Sequence, residues 1–163
     1  MARLKKKVLY FAGAGRSPEV CFARLASEAR VLSSEPPVLE YEGTELELSV
    51  EGSVERLEAR LASEYVDLIL FDLRADTPAD AAASARAATQ LLARLDRPAD
   101  LELRYAFHRI VGLVAGDDDR TDRLISELGA LGIGRVLRER PGEQRFPRRV
   151  LDALVELVAG RQV

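Results

Sequence analysis

Apolar and polar positions change period in a regular way along this chain. "KKVLYFAG" is an apolar run that stops at Gly13, the pattern of a buried strand. Ser17-Pro18-Glu19 then supplies a helix N-cap, a proline at the first helical position and an acid in the first turn. Cys21, Phe22, Leu25 and Ala29 fall on one face of that helix. "ELELSV" alternates and reads as a strand with one buried face. Ser53 caps a second helix, striped by Val54, Leu57, Leu61 and Tyr65. "VDLILFD" is apolar on both faces, as a central parallel strand covered by helices must be. Thr77-Pro78-Ala79-Asp80 opens a third helix, with Ala81, Ala85, Ala88, Leu92 and Leu95 expected on its inner face. "RIVGLVAG" is a fourth strand. Leu124, Ile125, Leu128 and Leu131 stripe the helix after it, which Gly132 can end. "GRVLRE" and "FPRRVLDALVELVAG" complete the series, the last packed through Phe146, Val150, Leu154 and Val158.

Five strand–helix repeats predict an α/β fold: a three-layer, doubly wound (βα)5 unit with a mostly parallel sheet and right-handed crossovers. Two segments exceed the minimum. "PPVLEYEGTELELSV" is expected to form a hairpin around Glu42-Gly43-Thr44, and "DLELRYAFHRI" alternates as an added strand would. No repeat or linker divides the 163 residues, so residues 1–163 are read as one domain.

Composition narrows the function classes. A net charge of −3 gives no pull toward nucleic acid, and no recognition-helix motif is present. No apolar run approaches a membrane span, and the basic N-terminus is followed by too short an apolar stretch for a signal peptide. One cysteine, Cys21, excludes an internal disulfide and a cysteine-based zinc cluster. The expected location is cytoplasmic. An arginine count of 21 against 3 lysines points to a GC-rich bacterial genome.

In open parallel sheets, ligands bind beyond the carboxyl ends of the strands. With a strand order of 2-1-3-4-5, the loops meeting there are "AGAGRS", "DLRADT" and "AGDDDR", which carry Asp72, Asp76 and Asp117 to Asp119. Gly13, Gly15, Arg16 and Ser17 form a candidate anion-binding or nucleotide-binding loop before a capped helix. The third glycine of a dinucleotide fingerprint is missing, so a tight strand-to-helix turn is the favoured reading. Asp117, Asp118 and Asp119 are weak candidates for a divalent ion, and more simply cap the helix that follows. His108, the only histidine, has no triad partners around it. Cys21 belongs to an apolar face. Arg135, Arg138, Arg140, Arg145, Arg148 and Arg149 crowd the last strand and helix, either as a solvated face or as a docking surface for an acidic partner.

"VDLILFDLRADTP", "RIVGLVAGDDD" and "GALGIGRVLRERP" together resemble the receiver domains of bacterial response regulators, over about residues 44 to 160. The resemblance implies a receiver or flavodoxin-like fold and places Asp72 at the phosphoacceptor position. It also marks departures. Where receivers hold Mg2+ with an acidic pair, this chain has Gly13, Ala14 and Gly15, with Arg16 nearby. The serine or threonine switch position is Ala115, and the lysine position is Arg140. Asp72 alone is a poor Mg2+ site, because the ion takes several oxygen ligands; Arg16 is expected to neutralise it. The resulting expectation is a degenerate receiver: a non-catalytic regulatory or scaffolding domain acting through protein–protein contacts, as a monomer or homodimer, without a cofactor. Two alternatives stand beside it. One is a small-anion or nucleotide-binding protein using Gly13 to Ser17. The other is a phosphorylatable receiver using Asp72 with Mg2+.

Overall fold

The structure is a computed structural model that describes residues 4–13, 16–64, 66–75, 77–95, 110–116, 118–130, 133 and 135–158. In chain order the elements are β1 (Leu4–Phe11), α1 (Pro18–Ala26), β2 (Arg30–Ser34), β3 (Pro37–Tyr41), β4 (Thr44–Glu51), α2 (Val54–Ser63), β5 (Leu68–Asp72) and α3 (Pro78–Leu95). They continue with β6 (Ile110–Ala115), α4 (Asp119–Ala130), β7 (Arg135–Glu139) and α5 (Phe146–Val158). The seven strands form one sheet in the order β2-β3-β4-β1-β5-β6-β7.

The five strands from β4 to β7 are parallel and keep the expected 2-1-3-4-5 arrangement. β3 and β4 form the expected hairpin, turning through Glu42 and Gly43, both at positive φ. β2 was not foreseen: it pairs antiparallel with β3 and extends the sheet by one more strand. The alternating segment 101–107 and Tyr65, Asp76, His108, Leu131 and Gly132 lie outside the described residues.

Alternation along the central strands sorts side chains into two cores. Val8, Tyr10, Leu68, Leu70, Val111 and Leu113 meet α1 and α5. Leu9, Phe11, Ile69, Phe71 and Val114 meet α2, α3 and α4. Each core forms because successive strand residues point to opposite faces. The helix starts follow local chemistry. Ser53 Oγ accepts from the Arg56 N–H, Thr77 Oγ1 from the Asp80 N–H, and an Asp118 carboxylate oxygen from the Thr121 N–H. Ser17 stands at the N-cap of α1 with Pro18 behind it, but its hydroxyl donates to Glu19 and does not cap the backbone. In α3 the buried positions among the described side chains are Ser84, Ala88 and Leu91; of the expected stripe, Ala88 is buried, Ala81 and Ala85 are half-buried, and the side chains of Leu92 and Leu95 lie outside the description. Ala81 and Ala85 line an open cleft toward α4.

Candidate functional site

Strand alternation decides where Asp72 points. Leu68, Leu70 and Asp72 share a face of β5, and Leu70 is in register with Tyr10 of β1. Asp72 therefore turns into the layer under α1 and α5, where it is 0% exposed. All of its oxygens are engaged. Oδ1 accepts from the Arg74 backbone N–H at 3.1 Å and from Arg74 Nε at 2.9 Å. Oδ2 accepts from Arg74 Nη2 at 2.8 Å and from the Tyr10 hydroxyl at 2.7 Å. The two-point fork between a guanidinium and a carboxylate is the strong form of this contact.

Arg74 is only 6% exposed and reaches further. Its Nη1 lies 3.2 Å from Glu139 at the end of β7, and its guanidinium stacks 4.8 Å from the Phe146 ring at the start of α5. Arg149 approaches the same ring, 5.4 Å from its centroid. One arginine thus ties the carboxyl end of β5 to β7 and α5. Burial works against the Arg74 charge, but the Asp72 hydrogen bonds and the charges of Asp72 and Glu139 outweigh it and raise its pKa. Burial, followed by the Asp72 charge, pushes the Tyr10 phenol well above its ordinary range. The same two causes raise the thiol of Cys21, a buried neighbour of Tyr10 on α1.

The fork on Asp72 comes from Arg74, two residues along the chain. The signal was present in "DLRADT", since a basic residue two positions after a strand-end acid can fold back onto it. Hydropathy gave no reason to bury that arginine.

The other candidates separate. Gly13 is held at φ +81°, and a Cβ there would lie 2.5 Å from the Asp72 carbonyl oxygen. The glycine is therefore needed for close backbone approach, which agrees with the tight-turn reading. Ser17 Oγ donates to Glu19 at 2.7 Å, and this contact holds the Glu19 carboxyl below its usual range. Arg16 is partly buried, and Gly15 lies outside the described residues. Asp118 caps α4 through both the N–H and the hydroxyl of Thr121, which keeps its carboxyl low. Asp117 lies outside the description, and among the described residues no group of three or more His, Cys, Asp or Glu is placed to hold a metal ion.

Ala115 and Arg140 do come together: with Gly116, Glu139 and Glu143 they line an open cleft of about 490 Å³. A second cleft, of about 570 Å³, lies between α3 and α4 over Leu73 and Val114. Three of the six arginines of the arginine-rich face are matched by acids of the same chain. Arg135 pairs with Glu156, Arg138 with Asp122 and Arg149 with Glu143. This supports the solvated-face reading over an acidic-partner surface. No described helix is long and apolar enough to cross a membrane.

No protein-family model and no curated protein matches this chain. Solved structures do. The phosphorylated cyanobacterial phytochrome response regulator RcpA superposes with a TM-score of 0.62 at 13% identity, covering 98% of this chain and 97% of that one. The cytosolic domain of the T. maritima FeoB iron transporter, in its GMPPNP form, gives 0.59 at 13% identity, over 98% of this chain and 66% of that one. At such identity the likeness is one of fold: this chain has a receiver-like, mostly parallel α/β architecture extended by an antiparallel edge.

Proposed function

We propose that the chain is a regulatory or scaffolding domain that works through protein contacts without catalytic turnover. In this reading the phosphoacceptor position has become a structural ion pair. The carrying observation is the state of Asp72, buried with both oxygens committed to Arg74 and Tyr10. A carboxylate that accepts a phosphoryl group needs an accessible oxygen and room for in-line approach. Asp72 offers neither, and the Arg74 guanidinium already supplies the positive charge that a metal ion would otherwise bring. The likeness to a response regulator supports a regulatory role.

The test is intact mass after incubation with acetyl phosphate and Mg2+, for wild type and Asp72→Ala. Neither protein is expected to gain a phosphoryl group. A gain in wild type alone would restore the phosphorylatable reading.

The second reading is an anion or nucleotide held by Gly13 to Ser17. The likeness to the FeoB domain in its GMPPNP form favours it. Against it stands Glu19, whose carboxylate lies in the first turn of α1, where a phosphate would dock. A ligand that binds only the folded state must raise its melting temperature. GMPPNP, ATP and inorganic phosphate are expected to leave it unchanged, and a clear rise with a nucleotide would favour the second reading.

A further inference from the structure

The two edges of the sheet are built differently. The β7 edge carries Arg135, Arg138 and Glu139, and charges of this kind guard an edge against pairing with another strand. The β2 edge has one charge, Arg30 at its first residue, which lies 3.6 Å from Glu40 of β3, and then carries Val31, Leu32, Ser33 and Ser34 in succession with no charge among them. β2 pairs only with β3, so its outer row of backbone groups meets no strand among the described residues. Four of its five residues are exposed. Val31 and Leu32 are 49% and 38% exposed, and only Val20, on α1, joins them as an exposed large apolar side chain among the described residues.

We propose that β2 is an interaction edge and that its occupant is β2 of a second copy of this chain, paired antiparallel about a two-fold axis at Leu32. The inference rests on the reading of the chain as a protein-contact domain and names the contact. Charge selects the arrangement. Each strand has Arg30 at one end and is followed by Glu35 at the other, and both residues are exposed. Antiparallel pairing brings the Arg30 end of one strand beside the Ser34–Glu35 end of its partner. Parallel pairing would set Arg30 against Arg30. About the Leu32 axis, Arg30 stands opposite Ser34, Val31 opposite Ser33, and the two Leu32 side chains face each other. The sheet then runs continuously through both copies. The register of β2 against β3 shifts between Val31 and Ser33, and the strand has five residues, so the contact is small and the dimer weak.

Sedimentation velocity over a concentration series tests this. Wild type is expected to shift from its 18.0 kDa monomer toward twice that mass as concentration rises. Leu32→Lys is expected to stay monomeric. Glu35→Arg is expected to raise the dimer Kd about tenfold, because it sets like charges beside Arg30 of the other copy. Circular dichroism of every variant checks that the fold is kept; these side chains are exposed, so it should be. A monomer at all concentrations overturns the proposal, including the case where the edge takes a strand from a different protein. A dimer that survives Leu32→Lys also overturns it, since the contact then lies elsewhere. Neither result changes the outcome of the acetyl phosphate experiment, so the two readings fail separately.

Discussion

Asp72 and Arg74 replace each other's water. Neither group tolerates burial alone, because an unpaired buried charge loses its hydration with nothing in return. Asp72→Ala leaves a guanidinium that is 6% exposed facing Glu139 alone, and it is expected to destabilise the fold by about 3–5 kcal/mol. Asp72→Leu with Arg74→Met is expected to recover part of that loss, because the two apolar side chains ask for no partners while the Tyr10 hydroxyl still loses its acceptor. Urea denaturation of the single and double variants measures both. A double variant no better than the single would mean that Arg74 acts mainly through Glu139 and Phe146. Asp72 was legible in the sequence as the acid that ends an apolar strand. Its partner was not, because a strand pattern fixes which face a residue takes but not which nearby cation folds over it.

At the scale of elements, the β1–α1 turn is shaped by the strand beside it. Gly13 sits against the Asp72 carbonyl, with Ser84 of α3 also close, so the turn, β5 and α3 meet at one point. Gly13→Ala brings both a strained φ and a direct clash, and it is expected to destabilise by about 2 kcal/mol or more, read as a lower urea midpoint at unchanged slope. The strands and helices themselves were largely legible. Caps at Ser53 and Thr77, the β3–β4 turn at Glu42-Gly43, and the apolar strands are local signals, and local signals survive folding. Two features were not. β2 is short and exposed on nearly every residue, so it has no burial rhythm for hydropathy to show. In α3 Ala88 is buried as expected, but Ser84 and Leu91 were missed, because the first turns are nearly all alanine and alanine gives almost no contrast between faces.

At the scale of the molecule, the buried polar cluster ties stability to pH. The Tyr10 phenol ordinarily titrates at 10.0 and is raised in the folded state. Above that pH the unfolded chain loses this proton while the folded chain keeps it, so stability present below pH 10 is lost as pH rises further. The loss from one such group is about 1.4 kcal/mol per pH unit. Thermal melts from pH 9 to 11.5 are expected to fall more steeply for wild type than for Tyr10→Phe. Parallel slopes would show that Tyr10 does not stay protonated. By itself the sequence determined the layered α/β class, the hairpin and the strand-end position of Asp72. All of these follow from residue periods and turn chemistry within a few positions. Only the tertiary structure decided the order of the parallel strands, that Arg74 covers Asp72 and bridges to Glu139 and Phe146, that three of the six arginines of the last strand and helix pair with acids of the chain, and that β2 meets no outer strand among the described residues. The Arg74 contacts join residues about 70 positions apart, and they are selected by the desolvation of charge, which no local pattern of hydropathy records.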